Sequence, residues 1–326
     1  MHVVLPILAQ AGGAEVELPY VKLAIGTTLF LMALIGTNYF TQSGVIARAT
    51  TKEALRQPLF LLLLGLGLMI ILTNFYVPFF SMGEDTKMFI DCGLSTALIC
   101  SLLICVWTAS LSVADEIDGK TAMTLLSKPI NRRQFVFGKY LGVFQSAFIM
   151  IAVLGVVLAA STYFKFGFDQ NESGQVEAEL FFFKAVSWLP FDIPYLVRER
   201  FNVAITVFPA LALITMEVAV MTAVAVAIST RMPMLVNMSV CLAVFVIGHL
   251  TPILAQSNVK NLFVKFFASL FATVFPVLEH FNMSAAVSTG KVIPAGYIGW
   301  AFLYCAAYVT ALIMLAFLMF EDRDLA

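Results

Sequence analysis

Charged residues are scarce in this chain. Asp, Glu, Lys and Arg make up 12% of its 326 residues, whereas hydrophobic residues make up 61%. Soluble domains carry about 25% charged residues, so this composition excludes an ordinary soluble protein. The basic residues are few and confined to local clusters, so we expect no nucleic-acid partner. We expect a chain that is built into a lipid bilayer.

Cysteine and histidine are also few, and neither is spaced as a set of ligands or catalytic groups. None of the five cysteines forms a C-x-x-C pair, and the three histidines form no H-E-x-x-H motif. We therefore predict no metal site, no disulfide framework and no cofactor bound by this chain. A catalytic pair at membrane depth, such as G-x-G-D with a second aspartate, is missing as well.

Long apolar stretches dominate what remains. A spanning helix needs about 20 apolar residues, because the hydrocarbon layer is ~30 Å thick and each helical residue rises ~1.5 Å. Seven segments qualify by length and lack of charge: residues 20–40, 58–80, 88–112, 138–162, 204–229, 234–255 and 295–319. The predicted fold class is all-α, a polytopic membrane helix bundle.

The orientation of the bundle is predicted from basic residues near the spans. The N-terminus lacks the basic region of a cleavable signal peptide, so the first span should act as an uncleaved insertion signal. Arg48, Lys52 and Arg56 lie four residues apart and form one basic stripe on a helix that would meet anionic headgroups. Because long loops count little in the positive-inside rule, we expect the N-terminus outside and the C-terminus inside.

Two further apolar segments are broken by charges and prolines. Residues 262–278 contain Lys265 and Pro276 and are short for a span, so a re-entrant or interfacial helix is expected there. Residues 180–197 contain Pro190 and Pro194 and are also expected to form an interfacial element. The two outer loops, 163–203 and 256–294, would hold these elements.

The stretch "VADEIDGKTAMTLLSKPINRRQFVFGKYLG", residues 113–142, gathers charge in this apolar chain. It contains the G-K-T triplet of a nucleotide-binding P-loop. However, Ala114 stands where that motif needs its first glycine, and three carboxylates surround the triplet. We therefore expect no ATP binding by this chain. Pro129 should end one helix, and Asn131 with Gln134 resembles a capping box that begins the next.

At these residues the chain resembles a known family. "EIDGKTAMTLLSKPINRRQFVFGKYLG", residues 116–142, is similar to the signature of ABC-2 type transporter permeases, in particular the branch grouped with copper-enzyme maturation and gliding permeases. Further resemblances follow in order at residues 46–58, 228–237, 275–298 and 315–326. The resemblance covers about residues 44–326 as the permease domain, with 44–57 as its connecting helix. Residues 1–43, with the first span, would be an N-terminal extension of the six-helix core.

The resemblance implies a function and partners. Such permeases are membrane subunits of exporters, work as dimers in the inner membrane, and are driven by a separate ATPase that binds ATP. A coupling helix at residues 112–128 would contact that ATPase through Asp115, Glu116 and Asp118. Gly119 and Thr121 lie on recurrent positions of the same helix, and Gly119 would allow close approach. The chain itself would catalyse nothing, and membrane lipid would surround it.

Plainer interpretations of the same residues stay open. A charged segment between two spans is often a solvated loop, and Arg132 and Arg133 after it are typical of basic membrane anchors. Glu217 lies near the middle of a predicted span, where an ionised carboxylate costs ~2.5–3.5 kcal/mol and must face the bundle or a wet cavity. It is either a substrate-path or proton-coupling group, or a packing contact with Asn237 or His249. Two other function classes are alternatives to the permease: a secondary transporter that uses Glu217 as its coupling site, and an intramembrane enzyme.

Overall fold

The architecture is an all-α membrane bundle with one short pair of strands. The computed structural model describes residues 19–76, 85–115, 131–172, 181–184, 193–256, 266, 275–289 and 291–321. In chain order, the longer helices are α1 (Pro19–Phe40), α2 (Gln42–Arg56), α3 (Pro58–Tyr76), α4 (Asp85–Ala109), α5 (Arg132–Glu172), α6 (Arg198–Ile205), α7 (Val207–Ser229), α8 (Met234–Gln256) and α10 (Ala295–Glu321). A π-helical turn, Ser110–Asp115, follows α4, and a 3₁₀ turn, Leu278–Phe281, precedes the short helix α9 (Ser284–Ser288).

Seven helical segments of the described chain are long and apolar enough to span a membrane. They are Lys22–Phe40, Pro58–Tyr76, Asp85–Ser112, Arg132–Gly167, Arg200–Ser229, Met234–Thr251 and Ala295–Phe320. These correspond one to one with the seven predicted spans, so the predicted fold class is confirmed.

The centre of the bundle is formed by α4, α5 and α7. Most of each of these spans is buried within the chain, whereas less than a third of each span in α1, α3, α8 and α10 is buried. Small residues explain the central place of α7. Ala219, Ala223 and Ala227, four residues apart, are all buried, and small side chains let membrane helices approach closely.

The connecting helix α2 is amphipathic and begins at a side-chain cap. The Thr41 hydroxyl accepts a hydrogen bond from the Gly44 N–H over 3.0 Å, which satisfies a free donor of the first turn. Ala47, Thr51 and Ala54 are buried on one face. The helix starts two residues before the predicted boundary and ends one residue before it.

The predicted outer loop at 163–203 contains the end of a helix and a pair of strands. Helix α5 continues through Gly167 to Glu172, and residues Phe181–Lys184 (β1) pair antiparallel with Ile193–Leu196 (β2). The described part of the element expected within residues 180–197 is therefore a strand pair, and its place at the membrane interface stays a prediction. The physical reason is that Pro194 cannot donate to a helix ladder, whereas aromatic residues favour extended backbone.

Two predicted elements lie mainly outside the described residues. Only the first four residues of the proposed coupling helix are described, and they form the end of the π-helical turn. The side chain of Asp115 and residues Glu116, Asp118, Gly119, Thr121 and Pro129 lie beyond them, so their roles stay predictions. The same holds for most of residues 262–278, and hence for whether that segment spans or re-enters.

Candidate functional site

The end of the bundle where α4 leaves and α5 begins, here called the elbow end, holds several buried polar contacts. Several of these contacts involve the π-helical turn Ser110–Asp115, and such turns are frequent at functional sites. The side-chain amide of Asn237, fully buried on α8, donates to the Ser110 hydroxyl over 2.9 Å. This hydrogen bond ties the start of the turn to α8.

A buried lysine ties the same turn to α5. The Lys139 ammonium donates to the Ser112 hydroxyl over 3.0 Å and lies 5.7 Å from the centre of the Phe135 ring. Lys139 is only 3% exposed. A buried cation is costly without hydrogen-bonding partners, so this contact holds α5 and the turn in one arrangement.

The first turn of α5 is capped by one of its own side chains. The side-chain oxygen of Gln134 accepts a hydrogen bond from the Asn131 backbone N–H over 3.1 Å. This is one of the two hydrogen bonds of a capping box. The Phe135 N–H donates to the Asn131 carbonyl oxygen over 3.1 Å. Helix α5 therefore starts at a defined point directly after the charged segment.

Basic side chains at the elbow end contact the last turn of α10. The Arg132 guanidinium lies 5.9 Å from the centre of the Phe320 ring, and the Arg231 Nε donates to the Met319 carbonyl oxygen over 3.0 Å. Cations near helix C-termini are favourable, because carbonyl groups are left free there. Arg132 thus makes a specific contact besides any role as an anchor, and both Arg132 and Arg133 are exposed.

Two glycines let α2 pack against α5 at backbone distance. A Cβ atom on Gly138 would lie 2.8 Å from the Ser43 carbonyl oxygen, and one on Gly142 would lie 2.6 Å from the Thr50 Cβ. The spacing Gly138-x-x-x-Gly142 is the small-residue motif that favours close helix crossings. Sequence reasoning missed this role although the signal was present.

Hydrogen bonds then fix the α2–α5 contact in place. The Thr51 hydroxyl lies 3.1 Å from the Gly142 carbonyl oxygen and 3.0 Å from the Gln145 side-chain oxygen. The Gln145 amide donates to the Asn38 side-chain oxygen over 2.9 Å, which brings α1 into the same network. The basic stripe of Arg48, Lys52 and Arg56 is exposed on α2. The α2–α5 contact therefore leaves this stripe uncovered.

A second cluster lies deeper in the bundle, around Glu217. This carboxyl group is 1% exposed, and its Oε1 atom lies 3.4 Å from the His249 Nε2 atom without the geometry of a hydrogen bond. The His249 Nδ1 atom lies 3.1 Å from the Phe245 carbonyl oxygen. Of the two partners considered for Glu217, His249 is the neighbour, whereas Asn237 donates to Ser110 instead.

A small cavity adjoins Glu217. It has a volume of about 100 Å³ and is lined by α4, α7 and the segment that follows the 3₁₀ turn, including Asn282 and Ser284. The 3₁₀ turn that precedes this segment packs closely against α8. A Cβ atom on Gly248 would lie 2.8 Å from the Pro276 carbonyl oxygen. The outer loop therefore supplies one wall of a small, partly open cavity beside Glu217.

The described residues offer no grouping of three or more His, Cys, Asp or Glu side chains that could hold a metal ion. The five cysteines, all within the described ranges, are free thiols. What the arrangement can do is mechanical and electrostatic. The elbow end can transmit displacement between helices, and the Glu217 cluster can hold charge.

Comparison with known proteins gives the family. A search among curated proteins found no match. A family model described as "ABC-2 family transporter protein" matches residues 20–325. The match starts before residue 44, so it includes α1 as well as the six later spans. It also sets aside the secondary transporter and the intramembrane enzyme. This chain is a multi-pass membrane permease of the ABC type and belongs to the ABC-2 family of transporter proteins.

Proposed function

We propose that this chain is the permease subunit of an ABC exporter, and that a separate ATPase drives it through the segment at residues 112–128. The observation that carries the proposal is the mounting of this segment at the elbow end. On one side, the turn that leads into it is tied to α5 and α8 through Lys139–Ser112 and Asn237–Ser110. On the other side, α5 begins directly after Asn131, whose N–H donates to the side-chain oxygen of Gln134.

This mounting supports a lever rather than a solvated loop. A loop that only connects two spans does not need buried hydrogen bonds to other helices at its base. A force applied at residues 112–128 would instead reach α5 and α8 through rigid polar contacts. Because α5 is locked to α2 at Gly138 and Gly142, the connecting helix would move with it.

The topology and assembly follow from this proposal. The elbow end would face the cytoplasm, with the N-terminus outside and the C-terminus inside. Two permease copies, or one copy and a homologue, would form the pathway in the inner membrane. ATP would be bound by the partner ATPase, and the cargo would move outward.

The proposal is tested by charge reversal in the elbow. Glu116→Lys and Asp118→Lys should weaken ATPase docking, because like charges placed together at an interface cost several kcal/mol. Gly119→Leu should do the same by bulk. The measurements are co-purification of the ATPase and its stimulation by the permease in vesicles.

Lys260→Glu, a charge reversal in the predicted outer loop, is the matched control and should leave docking unchanged. Full docking and stimulation in all three elbow variants would contradict the proposal. Insertion, measured by expression in the membrane fraction, should be normal in every variant.

A further inference from the structure

The contact between Glu217 and His249 requires a proton or a cation. A carbonyl oxygen only accepts hydrogen bonds, so the contact of His249 Nδ1 with the Phe245 carbonyl requires the proton on Nδ1. A neutral imidazole then presents the lone pair of Nε2 to Glu217 Oε1, 3.4 Å away. If Glu217 is ionised, two acceptors face each other at this point. The pair therefore needs one positive charge, either a proton or a cation.

The described residues that line the adjoining cavity do not supply that charge. Among the described residues that line the adjoining cavity, Glu217 alone carries a charged group. From the outer segment, Glu279 acts on Glu217 as a second negative charge. The other polar groups at the cavity are the hydroxyls of Ser95 and Ser284 and the amide of Asn282. Each of these can accept a hydrogen bond from a cation but cannot neutralise Glu217.

The shape of the cavity limits the kind of cation. Its volume of about 100 Å³ is enough for a small headgroup, and its remaining walls include Leu98, Ile214 and Phe281. The Asn282 side-chain oxygen accepts a hydrogen bond from Ser284 over 3.1 Å and retains a second lone pair. A primary ammonium group has three donors and no acceptor, which fits a cavity of acceptors with apolar walls. A quaternary ammonium group has no N–H to donate.

We propose that this cavity is a binding subsite for the primary ammonium group of an amphipathic ligand, with Glu217 as its counter-charge. When the subsite is empty, the Glu217–His249 pair holds one proton. When the ammonium group enters, that proton leaves to water, so the charge of the site is unchanged. This inference rests on the proposed function, in which such a ligand would be the cargo.

The test uses the full-length chain, without ATPase, in nanodiscs of phosphatidylcholine, whose headgroup has no N–H. n-Butylammonium chloride is titrated in weakly buffered solution, with n-butanol as the neutral control of the same length. The readouts are protons released, followed with a pH-indicator dye, and the thermal unfolding midpoint. We expect saturable release that approaches one proton per chain, and a rise in the midpoint, for the amine alone.

The variants separate the subsite from general partitioning into lipid. Glu217→Gln should abolish proton release and weaken amine binding by roughly tenfold or more, because a charge-assisted hydrogen bond is lost. Asn282→Leu, at an exposed loop position, should weaken binding several-fold while the empty site keeps its proton. Glu53→Gln, an exposed carboxyl on α2, should behave as wild type.

Equal responses to butylammonium and butanol, or unchanged amine binding in Glu217→Gln, would overturn the proposal. If Glu217→Gln does not fold, two other measurements test the proposal. These are proton release by the wild type and weaker amine binding by Asn282→Leu. Nanodiscs of phosphatidylethanolamine identify the source of the amine. If phosphatidylethanolamine weakens butylammonium binding, the natural ligand is an aminolipid. If it does not, the natural ligand is a soluble amine. Because no ATPase is present, failure here is separate from failure of ATPase docking in the elbow variants.

Discussion

Lys139 on α5 and Ser112 in the π-helical turn form a hydrogen bond of 3.0 Å, and both side chains are buried. The bond joins the two ends of the charged segment across its base, since α4 leads into the segment and α5 leads out of it. A displacement of the segment therefore acts on both spans together rather than on one.

Lys139→Met should separate coupling from folding. The methionine keeps the length and burial of the side chain but removes the donor to Ser112, and a buried polar group that loses its partner costs about 1–3 kcal/mol. We expect a modestly lower unfolding temperature, normal membrane insertion and a several-fold lower stimulation of the partner ATPase. Lys291→Met, an exposed position before α10, is the control. Normal stimulation in Lys139→Met would show that this contact carries no coupling.

Gly142→Ala should loosen the contact between α2 and α5. The new methyl group would lie 2.6 Å from the Thr50 Cβ, and overpacking of this kind costs about 1–3 kcal/mol. We expect a lower thermal unfolding midpoint in nanodiscs. Gly65→Ala, on the spanning helix α3, meets no atom within 4 Å and should leave the midpoint unchanged. The same midpoint in both variants would contradict the close packing.

Glu217→Gln should keep a higher unfolding midpoint than Glu217→Asp, although aspartate is chemically closer to glutamate. Glutamine keeps the length of the side chain and can donate an N–H to His249 Nε2 without a buried charge, so its unfolding midpoint should stay near that of the wild type. Aspartate keeps the carboxyl group but withdraws it from His249, and the buried polar groups that then lose each other as partners should cost about 1–3 kcal/mol. A midpoint lower in Glu217→Gln than in Glu217→Asp would refute the charge assignment.

The proposed topology predicts the side from which two exposed residues react. With α10 ending inside, Lys291→Cys should be labelled from outside the cell by a membrane-impermeant thiol reagent. Arg231→Cys, at the elbow end, should react only in inverted vesicles. The native cysteines are largely buried and supply the low background. The reverse pattern of labelling would invert the orientation.

What the sequence predicted well is local in the chain. Hydropathy located all seven spans, and the three-residue spacing of Asn131 and Gln134 predicted the start of α5, because both signals depend only on neighbouring residues. The strand pair was missed because "LFFFKAVSWLPFDIPYLV" combines aromatic residues and prolines that suit a membrane interface as well as a strand. Composition alone does not separate the two.

The candidate site was predicted only in part, because its contacts join residues far apart in sequence. Nothing near Lys139 indicates that it meets Ser112, and nothing near Ser110 indicates Asn237. His249 was one of two partners considered for Glu217, and helix rotation about the bundle decided between them. The Gly138-x-x-x-Gly142 spacing is different, since it could have been interpreted from sequence as a packing motif.

The π-helical turn at Ser110–Asp115 has a consequence for how the segment after it can move. Its i→i+5 bonds enclose one more residue than an α-helical turn does. If the turn changes to α-helical geometry, the extra residue moves into the segment that follows it. That segment then rotates about the helix axis by about 100°, the angle that one residue spans in an α-helix. The base of the elbow therefore permits a screw-like step about the α4 axis, in addition to a tilt of the whole helix.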